Sequence, residues 1–99
     1  MILNRFELAT VEQKDYPVDY TRWLFTGQTI VSAVLTVTPV TAPAFPASAA
    51  INTAATGLIV TAGLGGIDQT EYTVDILATM SNGEIKRDSL VFTIEDAIT

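Results

Sequence analysis

The stretch from Glu71 to Gly83, EYTVDILATMSNG, followed by EIKRDSLVFTI, constrains the fold more than any other part of the chain. Tyr72, Val74, Ile76, Ala78 and Met80 alternate with Thr73, Asp75, Leu77 and Thr79, the period-2 signature of a strand with one buried face. In the second arm Leu90, Phe92 and Ile94 share one parity. A two-residue Asn82-Gly83 loop would put Val74 and Ile76 on one face with Arg87, Ser89 and Val91, which is wrong for a core. A three-residue loop, Asn82-Gly83-Glu84 with Gly83 left-handed, instead pairs Ile76 with Leu90, Val74 with Phe92 and Tyr72 with Ile94. The opposite face then carries Thr73, Asp75, Arg87, Ser89 and Thr93, mostly in solvent.

Further strands are expected upstream. Thr29 to Val37, TIVSAVLTV, is rich in β-branched residues and places Val31, Ala33, Leu35 and Val37 on its more apolar side. Thr56 to Ala62 is another, closed by the turn Gly63-Leu64-Gly65-Gly66. Asp15 to Asp19 is extended, and Pro17 confines it to an edge or to a ladder position that needs no N–H donor. Asp19 to Leu24 predicts one helical turn capped by Asp19, with Trp23 or Leu24 as a plug over one end of the core. Pro39 to Ala50, with Pro39, Pro43 and Pro46, reads as a loop or a loosely paired edge. These signals, with no helical periodicity of any length, predict one all-β domain over residues 1–99. Its expected form is an antiparallel β-sandwich of about seven strands with a short helical turn near residues 19–24.

Composition narrows the function. Between Arg22 and Asp68 there is no Asp, Glu, Lys or Arg, and charged residues are only 16% of the chain, where about a quarter is usual. Two readings of the gap stand: threonine hydroxyls supply the polar face, or part of the span packs on a copy of itself or a partner, since interface cores are poor in charge. Eleven acidic against five basic side chains give a net charge of -6, which opposes nucleic-acid binding. There is no cysteine and no histidine, so disulfides, thiolate chemistry, Cys-ligated zinc and a histidine base are excluded. The first residues do not predict a secretory leader, because Arg5, Glu7 and Glu12 come too early, and no apolar run approaches the roughly 20 residues of a spanning helix.

Carboxylate pairs drawn from Asp15, Asp19, Asp68, Glu71 or Asp75 would need a deep cleft that a sandwich of this size has little room for. The Gly63-Leu64-Gly65-Gly66 turn leads into a strand and not a helix, so it is no phosphate loop. Asp15 and Asp19 lack the dense oxygen set of a calcium loop. No catalytic residue, metal site or cofactor is expected.

The order of elements resembles a family of small tailed-phage proteins, the fibre-tail adaptor or neck-associated proteins with an immunoglobulin-like fold. The likeness is carried by DYPVDYTRWL (Asp15 to Leu24), GQTIVSAVLTV (Gly27 to Val37), ATGLIVTAGLGGIDQTEYTVDILATMSNG (Ala55 to Gly83) and DSLVFTI (Asp88 to Ile94). The Tyr72-Thr73-Val74 strand after its Gly-rich turn is the most diagnostic piece. Leu35 departs from the tryptophan frequent at its place, and the Ala- and Pro-rich insert at Val40 to Ala50 is unusual. The resemblance implies a non-enzymatic virion structural protein, made in the host cytoplasm. It would bind other virion proteins and form a homo-oligomer or ring, with no nucleic-acid or membrane partner. Its expected contact surface is Pro43, Phe45, Pro46, Ile51, Asn82 and Gly83. The alternative is a carbohydrate-binding or adhesive module, with Tyr16, Tyr20, Trp23 and Phe25 as a stacking platform.

Overall fold

Alternation in the sequence is realised as seven strands and no helix among residues 1–96, which the computed structural model describes. The last three residues of the expected domain lie outside that range. The strands are β1 (Ile2–Leu8), β2 (Gln13–Asp19), β3 (Ile30–Thr38), β4 (Ala47–Ile51), β5 (Gly57–Gly63), β6 (Glu71–Met80) and β7 (Ile85–Ile94). They form two sheets, β1-β7-β6-β3 and β2-β5-β4. All pairs are antiparallel except β1 with β7, which run parallel, so the first sheet is mixed where an antiparallel one was expected.

The inner faces of both sheets share one hydrophobic cluster. Tyr72, Val74, Ile76, Ala78 and Met80 of β6, with Leu90, Phe92 and Ile94 of β7, meet Tyr16 and Val18 of β2 and Leu58, Val60 and Ala62 of β5. A run of rings crosses it: Phe6 on Tyr16 (centroids 4.3 Å apart), Tyr16 edge-on to Phe92 (5.1 Å), Phe92 beside Phe45 (5.2 Å) and Phe45 stacked on Tyr72 (5.0 Å). Burying a side chain of this size contributes about 1.5–3 kcal/mol, so these rings tie the two sheets together.

The β6–β7 hairpin keeps the expected faces but not the expected register. Tyr72 pairs with Phe92, Val74 with Leu90 and Ile76 with Asp88. The loop is Ser81-Asn82-Gly83, closed by Met80 N donating to Glu84 O at 2.8 Å. Gly83 is left-handed as expected (φ +88°), but it is the last loop residue and not the middle one. A type I turn followed by a left-handed residue is the ordinary three-residue hairpin loop, and it needs the glycine third. The resulting shift is by an even number of residues, so no side chain changes face.

One other expectation is corrected. In β3 the pairing slips between Ile30 and Ser32, which buries Ile30 and leaves Val31 59% exposed; Ala33, Leu35 and Val37 then point inward as expected. Residues 19–24 form a single hydrogen-bonded turn. Trp23 N and Leu24 N both donate to Tyr20 O, at 2.8 and 3.1 Å, and Asp19 Oδ1 accepts from Thr21 N at 2.8 Å. A second turn at Phe25–Gln28, with Gly27 at φ +85°, follows at once and leaves no length for a helix. Trp23 and Leu24 are half-buried against the core, and Tyr20 is the more deeply buried residue of this turn.

Candidate interaction surfaces

The charge-free part of the sequence folds into one flank. β3, β4 and β5 contain no ionisable side chain, and neither do the loops that join them. β3 and β4 are edge strands of opposite sheets and pack against each other. All ionisable side chains instead belong to β1, β2, β6, β7 and their connections, with the other two edges, β1 and β2, joined through Phe6 and Tyr16. On the charge-free side Val31 and Val34 are each 59% exposed, and Val34 pairs with the partly exposed Leu77.

A relay of hydrogen bonds anchors the proline-rich loop between β3 and β4. Thr41 has one hydroxyl hydrogen, which it gives to Pro43 O at 2.8 Å. The 2.8 Å contact between Thr41 Oγ1 and Tyr72 Oη is therefore a donation from Tyr72, whose oxygen accepts from Ile67 N at 2.9 Å. Gly66 N also donates to Ala44 O at 2.9 Å. A β-carbon on Gly65 would stand 2.4 Å from Ala44 O, so only glycine lets the turn before β6 approach this loop. The loop is thus held against the start of β6 by backbone and side chain together.

Of the residues expected to form a contact surface, Pro43, Pro46, Asn82 and Gly83 are exposed and Ile51 is 37% exposed. Phe45 is not available: it is 3% exposed and stacked on Tyr72, because the relay draws its loop onto the core. The exposed ones do not form one patch. Pro43 and Pro46 lie at the Thr38–Thr73 end of the first sheet, while Asn82 and Gly83 lie beyond the Ile30–Met80 pair at the other end. The length of β3, roughly 26 Å at strand rise, separates them.

Nor do the four aromatic residues form a platform. Tyr16 and Tyr20 are core residues, 6% and 3% exposed, Trp23 is half-buried, and only Phe25 is well exposed, at 72%. Burial raises the Tyr16 hydroxyl's pKa, with a further push from Glu12.

A pocket of about 320 Å³ opens at the flank opposite β3, lined by Met1, Leu3, Val18, Trp23, Asp19, Arg22 and Lys86 together with the buried Tyr20 and Asp88. Asp88 is fully buried on the inward face of β7. Lys86 Nζ donates to its Oδ1 at 2.9 Å, while Oδ2 and the Tyr20 hydroxyl reach no partner beyond each other. Burial first, then the charge of the Asp88 carboxylate and a hydrogen bond with it, push the Tyr20 pKa well above its ordinary value. Asp19, also in the lining, is held below the usual carboxylate value by its hydrogen bonds from the Thr21 hydroxyl and amide. Sequence reasoning missed Asp88 and Lys86, although both share the parity of Leu90, Phe92 and Ile94 and so had to face inward.

Among the described residues no group of three acidic, histidine or cysteine side chains could hold a metal ion. The surfaces offer shape, apolar contact and hydrogen-bond acceptors. A family model described as podophage GP4 fiber-tail adaptor protein gp77 matches residues 9–93. None of the curated proteins compared matches the chain.

Proposed function

The chain belongs to the podophage GP4 fiber-tail adaptor family, and on that premise we propose that it is a non-enzymatic virion structural protein that joins tail and fibre components through its charge-free flank. The observation that carries the assignment to this flank is the gathering of β3, β4 and β5 on one side of a chain of net charge -6. Contact surfaces are depleted in charge at their centres, and two unpaired strand edges without lysine or proline offer backbone groups to an incoming strand. The anchored Thr41–Pro46 loop lowers the entropy lost when a partner docks there.

We read the architecture as an immunoglobulin-like sandwich. The sheets β2-β5-β4 and β7-β6-β3 have the strand order of such folds, with β1 added in parallel beside β7. Tyr72, at the start of β6, accepts from Ile67 N five residues upstream, the arrangement of a tyrosine corner.

The test is incorporation into particles. Val34→Lys and Ala50→Lys place charges on exposed positions of β3 and β4, and each is expected to leave the circular dichroism spectrum unchanged while reducing the chain's share in purified virions. Lys14→Glu, on the charged flank, serves as the control. Equal incorporation of all three variants removes the assignment to this flank, and absence of the unaltered chain from virions by mass spectrometry removes the adaptor reading.

A further inference from the structure

β3 ends its sheet, so one side of its backbone meets no other strand among the described residues. Which groups lie on that side follows from the neighbouring strand. Met80 N donates to Glu84 O and Ile94 N to Thr70 O, so along β6 the residues of even number turn their backbone groups toward β7. Those of odd number, Thr73, Asp75, Leu77 and Thr79, turn toward β3 and pair there with Thr38, Thr36, Val34 and Ser32. The N–H and C=O groups of Ala33, Leu35 and Val37 are thus left on the free edge. From Ser32 onward the strand is regular and carries no charge and no proline, the usual guards against an added strand. Its side chains are open on both faces: Val34 is 59% exposed, and Ala33, Leu35 and Val37 remain partly exposed on the inner side.

The order of residues along that edge selects the occupant. Ser32-Ala33-Val34-Leu35-Thr36 reads hydroxyl, apolar, valine, apolar, hydroxyl in either direction. An antiparallel copy centred on Val34 matches it position by position: Val34 meets Val34, Ala33 meets Leu35, small against large, and Ser32 meets Thr36, hydroxyl against hydroxyl. The backbone agrees with the side chains. Ala33 and Leu35, which hold the free groups, fall opposite each other as a hydrogen-bonded pair, and Val34 falls on the two-fold axis as a non-bonded pair, whose Cα atoms stand about 4.5 Å apart. Charge points the same way. Two chains of -6 repel wherever ionisable groups face each other, whereas Asp75, the ionisable residue paired with β3, lies behind Thr36 and is already engaged by Ser89 and Arg87.

We propose that β3 pairs antiparallel with β3 of a second copy about a two-fold axis at Val34, joining two four-stranded sheets into one. The proposal rests on the reading of the charge-free flank as a contact surface and deepens it, assigning the β3 side to a copy of the chain. A single strand pair buries less than the roughly 1,200 Å² of a standard interface, so isolated chains associate weakly, with a Kd on the order of 100 μM. Copies held side by side on a particle gain from their high effective concentration.

The chain has no cysteine, so a single introduced one reports the contact. Under mild oxidation of the full chain, Val34→Cys should form a disulfide-linked dimer at least about tenfold faster than Val40→Cys, which is 92% exposed but off the edge. Ser32→Cys and Thr36→Cys, one of them isotope-labelled, should cross-link with each other in preference to themselves, a register that random collision does not produce. Ala33→Pro removes an edge-facing N–H that β6 does not use. It should leave the circular dichroism spectrum unchanged and raise the dimer Kd in analytical ultracentrifugation at least about tenfold. Val34→Cys cross-linking no faster than Val40→Cys, self-dimers outrunning the mixed dimer, or unchanged association of Ala33→Pro overturns the proposal; should Ala33→Pro fail to fold, the cysteine variants decide alone. Incorporation into virions of a chain whose Val34→Cys variant does not cross-link sinks the two-fold contact and keeps the adaptor reading, and rapid cross-linking by a chain absent from virions does the reverse.

Discussion

Replacing Tyr72 with phenylalanine isolates the relay that ties the proline-rich loop to β6. The ring stays, so its stacking on Phe45 and its place in the core are retained, and only the hydroxyl is lost. That hydroxyl makes two hydrogen bonds, from Ile67 N at 2.9 Å and to Thr41 Oγ1 at 2.8 Å, both partly buried. At about 0.5–1.5 kcal/mol each, their loss should cost roughly 1–3 kcal/mol. For a domain of this size 2 kcal/mol corresponds to a fall in Tm of roughly 8–16 °C. Urea denaturation followed by circular dichroism measures the difference directly. Thr41→Val removes the same relay from its other end, so the double variant should lose clearly less than the sum of the singles. A loss below about 0.5 kcal/mol for Tyr72→Phe, or strict additivity with Thr41→Val, would refute the account of the loop as pinned by this chain of bonds.

Two left-handed glycines should respond differently to alanine. At Gly83 (φ +88°) a β-carbon meets nothing within 4 Å, so Gly83→Ala should cost only the backbone term, about 1–2 kcal/mol. At Gly63 (φ +124°) it would lie 2.2 Å from Glu12 O, and Gly63→Ala should prevent the β2–β5 ladder from closing and abolish cooperative thermal unfolding. Asp75 is held below its ordinary value of 3.8, chiefly by the hydrogen bond from Ser89 and then by Arg87, and Asp19 is lowered by Thr21. Depressed carboxyls stabilise the fold fully above the unfolded value and lose that contribution as pH falls through the folded one, so urea midpoints should decline below about pH 4. Ser89→Ala should return the Asp75 titration, followed by carbon NMR, toward 3.8. If the charge-free flank also joins copies of the chain, light scattering should show association at high concentration that Val34→Lys suppresses.

What was legible in the sequence was face, and what was not was register and tertiary closure. Tyr72 to Met80 and Leu90 to Ile94 announce their buried sides because one apolar residue in two is unambiguous. Whether Gly83 stands second or third in its loop changes no face, so alternation alone cannot choose. Ile30 and Val31 are both β-branched, and nothing in their chemistry says which one the irregularity in β3 turns inward. Phe45 looked exposed because prolines surround it, and its burial depends on Thr41, Tyr72 and Gly65, which come near it only in the folded chain. β1 was not anticipated as a strand, since only Phe6 and Leu8 of it face the core. Asp88 shares the inward parity of Leu90, Phe92 and Ile94, but its burial rests on Lys86 and Tyr20, and Tyr20 comes near it only in the folded chain.

The flank built from β3, β4 and β5 has a consequence for particles outside the cell. To the joint proposed there this chain contributes no group that takes up or gives off a proton, and few counterions crowd its side to be expelled or recaptured when two parts meet. Its grip is governed by water's exclusion from apolar and hydroxyl-bearing surface, which dilution in rain or concentration in brine changes little. On this chain's side, the seam so proposed is built to be indifferent to the swings of salinity and acidity between one host and the next.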